Sequence, residues 1–247
     1  MKIYLAGSGW DKLWIKKLGG NDFYDFNRLE TFWSISKHEA EVIHRYKNFM
    51  LDSGAFSFFG GAKTDLDEYV KKYIDFINKY NVKQFFELDI YSLIGKEKTD
   101  KINKRIEKET GKKTIPVFHI FLGIEHFKKL CEEYNYIAIS ASGFYHSKWT
   151  RKNPEKLRKI IDYAHSKKVE VHGLGYTNMK MLDKMPFDSV DSTSWSSGQR
   201  YGNVQTWNGK KFITTNAPQG KRAESNRIAR HNFDEWIKFS KYAEKKY

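Results

Sequence analysis

Short apolar runs alternate along the chain with longer stretches in which apolar residues recur every three or four positions. The runs at 2–6, 49–51 and 136–140 hold consecutive apolar residues, without the polar alternation of a half-exposed strand. Strands that are covered on both faces have this composition, and they belong to parallel sheets. The stretches between the runs have the period of amphipathic helices, as at 65–80. The pattern therefore predicts an α/β protein with a parallel sheet.

Strands and helices are predicted to alternate seven or eight times, with no linker between them. The predicted strands are 2–6, 31–35, 49–51, 84–90, 114–120, 136–140, 169–172 and 189–193. The predicted helices are 10–18, 37–46, 65–80, 98–109, 125–133, 154–167, 178–185 and 232–245. A chain of 247 residues suits one barrel of eight such units, and no glycine-rich nucleotide motif follows a strand. We therefore expect a single-domain (β/α)8 TIM-like barrel over 1–247, with a basic loop at about 195–230.

Polar and glycine residues follow the predicted strands, and in such a barrel they share one mouth. They are Asp52, Asp89, His119, Ser142, Gly143, Gly173, Gly175 and Asp191, with Leu174 between the last two glycines. Each has a structural explanation as a cap, a core histidine or a turn. Asp188 and Asp191 are three residues apart, so an extended strand points them to opposite faces. Three carboxylates leave two chemistries open, a magnesium site of oxygen ligands or a nucleophile with a separate acid/base.

The positive net charge of the chain indicates a negatively charged partner. The chain has a formal net charge of +14, from 44 Lys and Arg against 30 Asp and Glu. Residues 198–230 hold seven basic side chains against the single acid Glu224, with Tyr201, Trp207 and Phe212 between them. Basic side chains suit phosphates and aromatic rings suit bases, so this segment predicts a nucleic-acid surface rather than a plain solvated loop.

Cysteine content and hydropathy exclude several classes of protein. Cys131 is the single cysteine, so neither a disulfide within the chain nor a cysteine-based zinc site can form. The apolar start at 1–7 is too short for a signal peptide, and no run approaches the roughly 18 apolar residues of a membrane helix. We expect a soluble protein of the cytoplasm, or of the host cytoplasm if the source is a virus.

Several segments, in order, resemble the tRNA-guanine transglycosylases. Residues 51–56, Leu-Asp-Ser-Gly-Ala-Phe, resemble that family's Asp-Ser-Gly-Gly-Phe-Gln motif. Asp191 with Ser192, followed by the Arg-Tyr-Gly of 200–202, resembles its nucleophile segment, an Asp-Cys pair before a basic Arg-Asn-Gly loop. Residues 87–89 and 115–123 stand where the family has its base-reading Asp and its Phe-Gly-Ile-Val-Gln-Gly-Gly strand. The ordered match covers about residues 48–203.

The departures from that family change the expected substrate. The tRNA enzymes carry a cysteine-rich zinc subdomain, which this chain lacks, and they are longer. Ala55 replaces the second Gly of the first motif, and Ser57 replaces its Gln. The compact form is more similar to the phage-type DNA transglycosylases, which exchange guanine in DNA for a 7-deazaguanine. The resemblance thus implies DNA and a free 7-deazaguanine base as partners, with no cofactor, no metal and no membrane.

The resemblance also implies roles for individual residues. Asp191 would be the nucleophile and Asp52 the general acid/base. Base binding would fall to Asp89, His119, Ser142, Gly143, Phe56, Gly173 and Tyr176. Phosphate contacts would fall to Arg200, Lys210, Lys211, Lys221 and Arg222. Since a duplex hides the sugar bond, the target nucleotide must be flipped out or single-stranded.

Three alternatives stay open at the level of sequence. The same chemistry can act on RNA, the carboxylates can belong to a metal-dependent barrel hydrolase, or the chain can be a non-catalytic nucleic-acid-binding subunit. The oligomeric state is not indicated. The transglycosylase hypothesis requires Asp52, Asp89 and Asp191 to converge on one cavity at the carboxyl ends of the strands.

Overall fold

A computed structural model describes residues 1–7, 23–55, 65–140, 149–150, 152–176, 182–198, 202–216 and 225–247. The chain divides into two compact units. One unit contains Met1–Gly7 and Ile139–Tyr247, and the other contains Ser8–Ala138. The predicted helix at 10–18 and most of that at 178–185 lie outside the described residues.

Nine strands and seven α-helices are formed by the described residues. The strands are β1 Lys2–Ala6, β2 Tyr24–Thr31, β3 Tyr46–Asp52, β4 Val117–Phe118, β5 Tyr136–Ser140, β6 Glu170–Leu174, β7 Ser189–Ser192, β8 Asn203–Trp207 and β9 Phe212–Asn216. The helices are α1 Lys37–Val42, α2 Leu66–Lys79, α3 Tyr91–Ile94, α4 Lys96–Thr110, α5 Ile124–Glu133, α6 Pro154–Ser166 and α7 Ser225–Lys246. Short 3₁₀ turns occur at Ile43–Arg45, Ile120–Leu122 and Ser194–Ser196.

The main sheet has seven strands in the order β3-β2-β1-β7-β6-β5-β4, and β8 with β9 forms a separate two-stranded sheet. The pairs β1–β7, β2–β3 and β6–β7 are parallel, as the apolar runs predicted. The prediction of a closed (β/α)8 barrel is wrong, because the ladder is open and ends at β3 and β4.

The missing strand is the one predicted at 84–90. Only Phe85 and Phe86 pair there, through isolated parallel bridges to Leu51 and Ile115. The next backbone groups bond elsewhere, because Leu88 N donates to the Asn103 side chain at 2.9 Å and Ile90 N donates back to Leu88 O at 3.0 Å. A segment whose N–H groups are taken by a side chain and a local turn cannot extend a ladder.

In the unit Ser8–Ala138, helix α2 has the predicted amphipathic face. Its buried residues are Tyr69, Val70, Tyr73, Ile74 and Ile77. Asp65 precedes the helix and its side chain accepts a hydrogen bond from Glu68 N at 2.8 Å. This contact satisfies one of the N–H groups that a helix start leaves open. The prediction of α2 is confirmed because both its apolar period and its cap are local features.

Strand β2 in the same unit differs from the prediction at 31–35. Its charged residues Arg28 and Glu30 are buried and form an ion pair with each other. Arg28 Nε also lies 3.5 Å from Glu39 Oε1 on α1, and Tyr46 donates to that oxygen at 2.5 Å. A strand that contains charged residues is not predicted from a pattern of apolar positions. Burial of these charges is possible because they pair with each other.

In the unit of Met1–Gly7 and Ile139–Tyr247, a hairpin occupies much of the predicted basic loop. Strands β8 and β9 pair antiparallel, from Asn203 opposite Asn216 to Trp207 opposite Phe212. Helix α7 begins earlier than the predicted 232 and packs on them, with the Phe212 and Trp236 rings stacked at 4.7 Å.

Two polar side chains of α7 satisfy the backbone of β8. Asn232 accepts from Gln205 N at 2.8 Å and donates to Asn203 O at 2.9 Å, and Glu235 accepts from Trp207 N at 2.8 Å. Both side chains are buried. The hairpin is therefore held by residues about 30 positions further along the chain. Across the described ranges, no helix has the length and hydropathy that crossing a bilayer requires.

We expect Asn232→Ala to lower the free energy of unfolding by about 1–3 kcal/mol, because Gln205 N and Asn203 O lose their partner. Urea unfolding followed by circular dichroism measures the change. The control is Asn226→Ala on the exposed face of the same helix, which carries the same change in helix propensity. Equal effects of the two variants would contradict this account of the hairpin.

Candidate functional site

Asp191 lies in β7, whose four residues are all buried. Its Oδ1 accepts a hydrogen bond from Gly175 N at 2.5 Å, and His172 Nε2 lies 3.2 Å from the same oxygen. Gly175 follows β6, the strand that pairs with β7. A buried carboxylate needs such donors, since an unpaired charge is costly in the interior. Asp191 and the glycine segment 173–175 are therefore brought together.

His172 completes this group, and sequence reasoning did not name it as a site residue. It is fully buried, and its Nδ1 lies 2.5 Å from Ser189 Oγ. One ring nitrogen of His172 thus faces Asp191 and the other faces Ser189. Its position immediately before Gly173 at the end of a predicted strand was the available signal. The Ser189–His172–Asp191 chain fixes the orientation of the carboxylate.

Tyr4 and Gly173 lie next to the Asp191–His172 pair. Tyr4 is the register partner of Asp191 in β1, and its ring meets the His172 ring edge-on at 5.9 Å. A Cβ on Gly173 would lie 3.1 Å from the Phe187 ring and 3.0 Å from Tyr176 Cβ, so a side chain there would require these neighbours to shift by a few tenths of an ångström. Tyr176 is buried against Phe187, and burial raises the pKa of its hydroxyl to about 12. Base binding by Gly173 and Tyr176 stays a prediction.

Asp188 has a different set of contacts from Asp191. Its Oδ2 accepts from Val171 N at 2.6 Å and lies 2.9 Å from His165 Nε2. Asp191 instead contacts His172 and Gly175. The two aspartates therefore serve separate groups of neighbours, as their odd spacing indicated.

Asp89 and His119 meet in the unit Ser8–Ala138. His119 Nε2 lies 3.0 Å from Asp89 Oδ2, and the two side chains are 13% and 21% exposed. The His119 ring is stacked on Phe121 at 5.2 Å and meets Tyr91 edge-on at 6.2 Å. Both residues had been predicted at strand ends, and their contact supports a common site.

Glu87 stands two residues before Asp89 and was not singled out as a site residue. It is buried, with Val117 N at 2.8 Å, Asn103 Nδ2 at 2.9 Å and the Tyr91 hydroxyl at 3.0 Å from its carboxylate. Burial raises its pKa from 4.5 to about 8, and the charge of Asp89 adds to this, while the donors of Val117 and Tyr91 oppose it. The available signal was a charged residue inside an otherwise apolar run.

Asp52 lies at the end of β3, in a tightly packed turn. Its Oδ1 accepts from Gly54 N at 3.2 Å, and the Tyr69 hydroxyl donates to Ser53 O at 2.6 Å. Gly54 has a φ of +74°, and a Cβ there would lie 2.7 Å from the Tyr69 hydroxyl and 2.9 Å from Trp33 Cβ. Burial and then the charge of Asp52 raise the pKa of Tyr69. The motif therefore requires its glycine for both conformation and space.

Lys210 and Lys211 are exposed at the turn of the β8–β9 hairpin. Their backbone N–H groups donate to Asn208 Oδ1 at 3.0 and 2.9 Å, which fixes the turn. The other predicted contacts lie outside the described residues, namely Phe56, Ser142, Gly143, Arg200, Lys221 and Arg222.

Asp52 and Asp89 belong to one unit and Asp191 to the other, so their convergence on one cavity stays a prediction. Within the described ranges, no group of three or more His, Cys, Asp or Glu side chains is arranged to hold a metal ion. Comparison with known proteins adds no assignment, because no family model, curated protein or solved structure matches the chain.

Glu87 should make stability fall as pH rises from about 4.5 to 8. In this window the folded protein keeps a proton on Glu87 that the unfolded chain has released, because its folded pKa is the higher one. The free energy of unfolding should therefore decrease by up to about 1.4 kcal/mol per pH unit. Glu87→Gln cannot titrate, so urea unfolding at several pH values should show a smaller decrease than in the unaltered protein.

The control for this titration is Glu97→Gln, which removes a carboxylate that is 83% exposed on α4. It should leave the pH dependence nearly unchanged, because an exposed carboxylate is solvated in both states. If Glu87→Gln and Glu97→Gln gave the same pH profile, Glu87 would not be protonated in the folded protein.

Proposed function

We propose that the chain is a base-exchange transglycosylase, which replaces guanine in DNA by a 7-deazaguanine base through a covalent link between Asp191 and the sugar. The observation that carries the proposal is the anchoring of Asp191 Oδ1 by Gly175 N and His172 Nε2. A carboxylate that is buried, oriented and hydrogen-bonded suits a nucleophile. The choice of DNA and of the incoming base rests on the sequence resemblance.

The anchoring assigns different tasks to the two carboxylate oxygens. Both hydrogen bonds that the described residues make to Asp191 end on Oδ1. We therefore assign Oδ2 to attack on the anomeric carbon. The bond from Oδ2 to the anomeric carbon forms as the bond from that carbon to guanine breaks. The incoming base then attacks the same carbon, and the bond from Oδ2 to that carbon breaks. Two successive displacements retain the configuration of the sugar.

Asp52 is assigned to proton transfer. It gives a proton to the departing guanine and takes one from the incoming base. The turn after β3 supports this role, because Gly54 N donates to Asp52 Oδ1 at 3.2 Å and thereby orients the carboxylate beside the small residues of that turn, where a planar base can approach. General acid help of this kind is typically worth about a hundred- to ten-thousand-fold in rate.

Asp89 is assigned to recognition of the base. Guanine presents a ring N–H and an amino group on one edge, and a carboxylate can accept from both. His119 holds the Asp89 carboxylate at 3.0 Å and thereby limits its rotation. A site that satisfies both donors discriminates against bases without them, because a buried acceptor is otherwise left unpaired.

Asp191→Asn should abolish base exchange while nucleic-acid binding stays nearly intact. The amide keeps the shape of the side chain and removes the anionic nucleophile. Mass spectrometry of nucleosides after incubation with candidate bases and either DNA or RNA measures exchange, and it also identifies the polymer. Denaturing electrophoresis should show a covalent protein–nucleic acid adduct in the unaltered protein and none in the variant.

Asp188→Asn is the matched control, since it removes a carboxylate three residues away that has separate contacts. Asp52→Asn distinguishes the two roles, because it should recover adduct formation on a substrate with an activated leaving group, whereas Asp191→Asn should not. A covalent adduct trapped by Asp191→Asn would assign the nucleophile to another residue.

Replacing both Lys210 and Lys211 by Ala should weaken nucleic-acid binding and flatten its salt dependence. Each phosphate contact that is lost should reduce the slope of log affinity against log salt by about one. Fluorescence anisotropy over a range of salt concentrations measures the slope. The control replaces Lys71 and Lys72, two adjacent exposed lysines in ion pairs with Asp75 and Glu68. Equal slopes for the two double variants would place the phosphates elsewhere.

A further inference from the structure

Exposed apolar side chains follow both members of the Asp89–His119 pair. Phe121, two residues after His119, is 59% exposed, and Ile124 is 46% exposed. Leu93, four residues after Asp89, is also 46% exposed. Seven large hydrophobic side chains in the described part of the chain are exposed, and three of them lie within five residues after Asp89 or His119. Phe121 contacts His119 of this pair directly, and an exposed apolar side chain beside a polar site is a candidate for ligand binding.

The ring of Phe121 has a rigid support. It is stacked on the His119 imidazole, with an interplanar angle of 25° and 5.2 Å between the ring centroids. The imidazole is itself held by Asp89 at 3.0 Å and by the edge-on ring of Tyr91. An aromatic ring that is already oriented loses little conformational freedom when a ligand stacks on it.

We infer that Phe121, backed by His119, is a stacking platform for an unpaired nucleobase of the bound strand. The inference rests on the proposed function in taking a nucleic acid as the ligand. A flat aromatic ring can stack on any base, whatever its hydrogen-bonding edge. The net charge of +14 favours a polyanionic partner overall.

The Asp89 carboxylate decides which part of the nucleotide approaches this place. A phosphate would be repelled by Asp89, whereas an uncharged base can stack on Phe121 without that repulsion. The side chains of Asp89 and His119 are only 21% and 13% exposed, but Phe121 is largely exposed. The base on Phe121 is therefore closer to solvent, and we assign it to the nucleotide that flanks the exchanged guanine.

Phe121→Leu tests the platform, because it keeps an apolar side chain and removes the ring. The probe is a short single-stranded DNA with one 2-aminopurine, whose fluorescence is quenched by stacking, placed in turn on each side of the target guanine. The unaltered protein should quench one of the two positions. Phe121→Leu should lose that quenching and weaken binding about tenfold, and Phe121→Trp should restore both.

The matched control is Phe23→Leu, which changes a phenylalanine that is 63% exposed in the same unit. It should leave binding and quenching unchanged. If Phe121→Leu bound and quenched the probe as the unaltered protein does, the platform would be overturned. The same conclusion would follow if the only effect of Phe121→Leu were that the protein no longer associates with itself. All three variants alter exposed residues, and equal thermal unfolding midpoints show that they remain folded.

Base exchange is measured separately on the same proteins by mass spectrometry. Exchange by the unaltered protein, together with full binding by Phe121→Leu, would overturn the platform and leave the proposed function standing. Quenching that depends on Phe121, without any exchange, would support the platform as a nucleic-acid site and overturn the proposed function. The absence of binding to single-stranded DNA would overturn the platform outright.

Discussion

Carboxyl groups in or beside the strands accept hydrogen bonds from backbone N–H groups of a neighbouring chain segment, and much of the local geometry depends on these contacts. Asp188 accepts from Val171 N, and Asp191 accepts from Gly175 N. Glu87 accepts from Val117 N in the other unit. Burying a carboxylate costs several kcal/mol unless donors compensate, so each contact fixes where its segment must lie. Each of these hydrogen bonds therefore positions both the acidic side chain and the backbone segment that donates to it.

Each unit also combines a carboxylate with a histidine near the end of a strand. Asp191 pairs with His172, which is fully buried and has Ser189 on its other nitrogen. Asp89 pairs with His119, which is partly exposed and stacked on Phe121. The first environment restrains a buried carboxylate, and the second presents an acceptor beside an aromatic ring. The proposed function assigns sugar chemistry to the first pair and base recognition to the second, and the difference in exposure is compatible with that proposal.

Elements that depend on local signals were predicted well. Strand β5 was predicted at its observed bounds, Tyr136–Ser140, because its apolar run is short and uninterrupted. The buried face of α2 follows from its period. Strand β2 was missed because its Arg28 and Glu30 are charged, and their burial depends on pairing with each other and, for Arg28, with Glu39. The hairpin β8–β9 was missed because its backbone is satisfied by Asn232 and Glu235 of α7, which lie in a later part of the chain. Pattern reasoning discounts such residues, since it assigns polar positions to the surface.

The sequence by itself determined the alternation of strands and helices, the parallel pairing, and the places where Asp52, Asp89, His119 and Asp191 follow or end apolar runs. These are consequences of side-chain period and of residues close in the chain. Tertiary structure decided that the sheet is open, because Leu88 N bonds to the Asn103 side chain and Ile90 N bonds back to Leu88 O instead of extending a ladder. It also decided the partners of each carboxylate, His172 for Asp191 and Asn103 with Val117 for Glu87. Those contacts join residues 16 to 30 positions apart, and no local pattern specifies which distant donor will meet a buried carboxyl group.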